Sequence, residues 1–210
     1  MSEILAAVLG ALIVWLTTYF TEHRKAAATK SRDAAFLGVV VLIHLDKFIS
    51  ECATVASDDG TVLGQASGRD ENGEDYYAPQ THTPTLEIEE LKVEWRSIPP
   101  QLMYAVYSLP LKIRDALEYL DHVSDGGWPD GTEYMAARQE RFAQIGVAAA
   151  DIAQELRVET GIPAVIERKW SAEKHLRERN EFYKAQAESQ EAAHNEMLAS
   201  LKREQISGPN

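Results

Sequence analysis

A run without a single charge, beginning at Ile4 and ending at Phe20, constrains this chain more than any other stretch. A helix rises about 1.5 Å per residue, so the run covers about 25 Å. A bilayer core is about 30 Å thick and takes about 17 to 25 residues. The run therefore reads as a short membrane anchor. Trp15, Tyr19 and Phe20 gather at its far end, where aromatic rings favour the headgroup level. Thr17 and Thr18 can return their hydroxyls to carbonyls one turn back, which lowers their cost in such a helix.

The flanks give a direction. Met1, Ser2 and Glu3 precede the run, whereas His23, Arg24, Lys25, Lys30 and Arg32 follow it. The flank rich in Lys and Arg stays in the cytoplasm. The N-terminus is expected outside and the body inside, at the inner membrane if the cell is bacterial. Two other readings compete. A cleaved signal peptide needs a basic start and a small-residue cleavage site, but this chain offers Glu3 and Tyr19-Phe20-Thr21-Glu22. A buried core helix is the other, because the run is barely long enough to span.

The remainder is long enough for one domain with its own core. Net charge is -12 and the isoelectric point is near 5.0. That balance excludes a nucleic-acid binder, which needs a basic footprint. It also disfavours broad contact with anionic lipid. The single cysteine, Cys52, forbids an intrachain disulfide.

The fold class predicted is mainly α: the anchor in 1–21, then an antiparallel bundle of about four helices in 22–179, then a polar helical extension and tail in 180–210. Residues 21–56 hold no proline and one interior glycine, Gly38, so they read as helix and can continue the anchor as one rod. The stretch 34–45 is apolar on all sides except at His44. At that length it reads as part of a buried core helix rather than a second membrane segment, and that helix, 34–56, is expected to be the central one of the bundle. Residues 57–85 are rich in Gly, Asp, Ser, Thr and Pro and read as an irregular acidic insertion. Residues 86–98 are ambiguous. Ile88, Leu91, Trp95 and Ile98 fit a helical face, while Leu91, Val93 and Trp95 alternate as in a strand; a short helix is expected.

Pro99-Pro100 opens the next helix. Its stripe is Leu102, Val106, Leu109, Ile113, Leu117, Leu120 and Val123, with a kink or short break expected near Ser108 because of Pro110. A turn at 125–131 leads to a helix starting at Gly131 or Thr132, with Phe142, Ile145, Ala149, Ile152 and Leu156 on its face and alanines that allow close approach. Gly161 ends it and Pro163 blocks continuation. The last helix is expected over 164–202. A heptad register through Leu176, Tyr183, Gln190 and Met197, paired with Asn180, Ala187, His194 and Leu201, makes a poor coiled coil because its seam is polar.

No catalytic, cofactor or metal residue set emerges. Glu191 and His194 form one Glu-x-x-His pair, where a di-iron bundle needs two such pairs and two further glutamates. Residues 70–75 resemble a fragment of a calcium loop without its spacing. Cys52 sits on an apolar helix, where a thiol is inert packing. The expected function is a membrane-anchored, non-catalytic interaction or scaffold module on the cytoplasmic face. It would bind the bilayer through the run from Ile4 to Phe20, and a protein partner or a second copy through the C-terminal helix. The alternative is an enzyme, or a metal- or small-ligand-binding module, with its site in the acidic, aromatic stretch 57–98.

Overall fold

A computed structural model describes the backbone over residues 2–126, 130–164 and 170–206, and the side chains over 15–126, 130–164 and 170–198. Four helices pack together: α1 (Ser2–Ala56), α2 (Pro100–Gly126), α3 (Thr132–Thr160) and α4 (Ala172–Ile206). Between α1 and α2 lie two small antiparallel hairpins, β1 (Thr61–Val62) with β2 (Gln65–Ala66) and β3 (Gly68–Arg69) with β4 (Asp75–Tyr76), then a single 3-10 turn at Trp95–Ser97.

The first helix is one rod, as the unbroken 21–56 stretch implies. Every described residue in 15–32 is exposed, and burial begins only at Ala34. Among the described residues no helix is long and apolar enough to cross a membrane. The anchor expectation falls largely outside them, since side chains before Trp15 are not described.

Within the bundle, α1 departs from the all-round burial its composition implied. Leu37, Val41, Leu42, Leu45, Phe48, Ile49 and Cys52 are buried, but Phe36 and Ile43 are 59% and 64% exposed, with Val39 beside them. The central helix is α3 instead, which packs against α1, α2 and α4. Its small residues explain this. Ala143, Gly146, Ala149, Ala150 and Ala153 are buried and let two neighbours come close. A Cβ on Gly146 would lie 2.8 Å from Leu176 of α4 and 2.9 Å from Cys52 of α1, so only glycine fits between them. Small residues on one helix thus set how near three others can pack.

Side-chain pairs fix the directions. Arg157 reaches Asp46 and Arg138 reaches Asp58, so α3 runs antiparallel to α1. Arg177 reaches Asp151 and Tyr183 reaches Gln139, so α4 runs antiparallel to α3 and parallel to α1. The N-terminal rod therefore leaves the bundle at one pole. The hairpins, the start of α3 and the far part of α4 lie at the other, distal pole.

Three expectations need correction. The 86–98 stretch is not a helix: Leu86 and Ile88 are buried while Glu87 and Glu89 are exposed, an alternation of period two that only extended backbone gives. Just the turn Trp95–Ser97 is helical, and Trp95 packs tilted against Tyr107 of α2, ring centres 4.8 Å apart. Second, of the kink or short break expected near Ser108, the break is absent: α2 continues through Pro110. The proline removes a bond to the carbonyl of Val106. Leu109 and Ile113, both buried, hold the turn by packing, and the Ser108 hydroxyl donates to the Ala105 carbonyl at 2.7 Å. Third, 57–85 is not wholly irregular, since the two hairpins organise it. Start and end of α3 match expectation, with the Gly161 amide donating to the Arg157 carbonyl as a C-terminal cap. The last helix begins at Ala172 rather than 164; residues 165–169 lie outside the described set.

Candidate functional site

The distal pole is held by one buried polar network. Asp58 follows the end of α1 and Arg138 sits on α3, 3.0 Å away, both almost fully buried. One carboxylate oxygen of Asp58 accepts from the Gly60 amide. The other accepts from Arg138, from the Gln80 and Thr81 amides and from the Thr81 hydroxyl, at 2.7 to 3.0 Å. Arg138 donates also to the Thr81 carbonyl at 2.8 Å. Burial alone pushes the Asp58 carboxyl up. The donors from Thr81, Gly60 and Gln80 outweigh it and hold the group below the usual carboxylate range.

The network continues. Gln139 donates to the Asp58 carbonyl at 2.8 Å, and its oxygen accepts from the Tyr183 hydroxyl at 2.9 Å and from Arg179 at 3.2 Å. Tyr77 lies against the turn before α3, its amide donating to the Asp130 carbonyl at 2.7 Å. A Cβ on Gly131, whose φ is +78°, would collide with the Tyr77 carbonyl. Insertion, α3 and α4 thus form one fixed unit. Asp58, Arg138, Thr81 and Gln139 are engaged with one another, which is the chemistry of a latch rather than of a reaction centre, while the buried Nε of Arg179 at its edge makes no hydrogen bond among the described residues.

Two surfaces leave this unit. Leu63 caps the first hairpin, fully exposed, at φ 54° beside Gly64 at φ 77°. Left-handed backbone suits glycine, not leucine, so this turn carries local strain to present an apolar tip. The larger surface is α4. Leu176, Asn180 and Tyr183 are buried against the bundle, on the seam that the heptad register identified. From Lys184 to Leu198 every residue is exposed, including Met197 and Leu198, and Phe182 is exposed beside them. At about 1.5 Å per residue, α4 passes the first turn of α3 about seven residues beyond Tyr183, and its described side chains beyond that point are exposed.

The other residues weighed from sequence do not converge. Glu191 and His194 lie on the exposed part of α4, and among the described residues no cluster of His, Cys, Asp or Glu could hold a metal. The Cys52 thiol is buried and its ionisation is pushed far up by that burial, as suits packing. Asp70 turns its carboxylate onto the amides of Asn72 and Glu74, a local turn. His44 is half-buried on α1. His175 lies 2.8 Å from the Ser57 hydroxyl, but that hydroxyl already donates to the Ala53 carbonyl, so the serine is the acceptor and not an activated nucleophile.

The sequence reading overlooked Arg138. Its signal was present, since Arg138 falls three residues after Met135 and four before Phe142, a charge on an otherwise apolar stripe. No family model, no curated protein and no solved structure matches the chain.

Proposed function

We propose that this protein is a single-pass membrane-anchored, non-catalytic interaction module. The run from Ile4 to Phe20 tethers it, with the N-terminus outside and the bundle on the cytoplasmic face. The far part of α4 captures a protein partner. The observation that carries this reading is the opposite placement of two unpacked helical segments. Residues 15–32 of α1 leave one pole exposed, and residues 184–198 of α4 leave the other. A rod at one end and an exposed helix at the other suit a tether that presents a helix away from the membrane. Phe182, Met197 and Leu198 are exposed apolar side chains amid polar residues, surface on which a partner helix can anchor. The alternative, an enzyme or ligand module with its site in 57–98, has less support because Asp58 and Thr81 are already engaged by Arg138.

Two measurements test the reading. The tether is tested by fractionation: the full chain should sediment with membranes, and deletion of 1–21 should release a folded protein. Equal distribution of both forms would remove the anchor from the proposal. Capture is tested by truncation after Lys184, which leaves Tyr183 and its bond to Gln139 in place. The truncated chain should keep its thermal transition and lose its partners in a cross-linked pull-down from the membrane. Retained partners would move recognition to the insertion or the α1 face.

A further inference from the structure

Between α2 and α3 lies a groove of about 310 Å³ lined by Lys112, Asp115, Tyr119, Arg141, Gln144 and an apolar floor of Ala116, Ile145 and Ala148. In a chain with 33 acids and 21 bases, two cations here stand without an ion-pair partner although Asp115 lines the same groove. Among the described residues neither Lys112 nor Arg141 has a carboxylate within ion-pair distance. The Arg141 guanidinium lies 4.0 Å above the Tyr119 ring. Its Nη1 leans on the Gln144 oxygen at 3.4 Å, and Gln144 is turned that way because its amide nitrogen donates to Glu140 at 2.9 Å. Nε is buried out of a ligand's reach, whereas Nη2 keeps accessible surface and makes no hydrogen bond among the described residues. A guanidinium nitrogen left free in this way takes a carboxylate oxygen through a charge-assisted hydrogen bond.

We infer that this groove binds a small organic monocarboxylate: the acid group on Arg141 and Lys112, and a short apolar body on Ala116, Ile145 and Ala148. Volume and lining fit a ligand of that size. Asp115 on the rim selects the charge, because a second carboxylate beside the site repels a dianion such as phosphate more than a monoanion. Tyr119 holds the guanidinium plane, so recognition needs no reordering of the arginine. The site is independent of the tether and of α4.

The test is calorimetric titration of the full chain in a maltoside detergent with benzoate, with benzamide as its neutral isostere and inorganic phosphate as the dianion. Saturable benzoate binding is expected, with benzamide and phosphate weaker. Arg141→Lys should weaken benzoate at least about tenfold, the size of a lost charged hydrogen bond, and Lys112→Gln a few-fold. Lys112 is exposed on the groove's rim, so its variant keeps the test decisive should the arginine variant not fold. Equal binding of benzoate and benzamide, tighter phosphate binding, no saturable binding, or an unchanged Lys112→Gln affinity would each overturn the assignment.

Discussion

Arg138→Met should lower the unfolding free energy of the full chain by about 3 to 5 kcal/mol, the cost of leaving one member of a buried ion pair alone. Methionine keeps most of the side-chain volume, so packing is not what is lost. Asp58 would retain the Gly60, Gln80 and Thr81 donors but face no cation while buried. The Thr81 carbonyl would lose its charged donor as well. Urea unfolding at neutral pH, in detergent for the full chain, reads the difference. A loss under about 1 kcal/mol would mean that solvent reaches Asp58 and that the latch is ornamental. The double variant Asp58→Leu with Arg138→Met should not recover the loss, because Asp58 also accepts from the Gly60, Gln80 and Thr81 amides, which leucine leaves unpartnered.

The same carboxylate gives the acid side of the stability profile. The folded-state pKa of Asp58 lies below its ordinary value. Its contribution is therefore complete above the unfolded value of about 3.9 and is lost as pH falls through the lower, folded value. The wild-type chain should lose stability below about pH 4 with an Asp58 component, and that component should shrink in the Asp58→Leu, Arg138→Met pair.

The helices were legible because their signals are local. Proline at 99 and 100, glycine at 131 and 161, and apolar residues at three- and four-residue spacing each act within a turn or two. What escaped needed a partner distant in sequence. Residues 86–98 carry both periodicities, and the burial of Leu86 and Ile88 decides between them only when the packed helices are in place. The centrality of α3 hides for a related reason. Its alanines give it a weaker hydrophobic signal than the apolar run in α1, yet small side chains are what let three neighbours approach. The latch was least visible, since Asp58, Thr81 and Arg138 look like a turn residue, a loop threonine and a helix-surface arginine until 80 residues of chain separation are closed.

The stripe on α2 separates what a pattern can tell from what packing decides. Leu109 and Leu117 both belong to it at helical spacing, yet Leu109 is 0% exposed and Leu117 is 37% exposed. The difference is angular: at about 100° per residue Leu117 sits about 80° round the helix from Leu109, whereas the buried Ala116 and Leu120 lie within about 20° of it. Leu109 lies in the core cluster and follows the carbonyl turn that Pro110 weakens. Leu109→Ala should therefore cost about 2 to 5 kcal/mol, the lost transfer energy plus the cavity that a helix already short of one hydrogen bond cannot close. Leu117→Ala should cost less than about 1 kcal/mol, since it removes surface that solvent already reaches. Paired urea unfolding curves with a common slope measure both. Equal losses at the two positions would show that α2 rolls on α3 in solution and that the groove holding Arg141 is not a fixed site. A large loss at Leu109 alone fixes the face of α2, and with it the positions of Lys112, Ala116 and Tyr119 opposite Arg141.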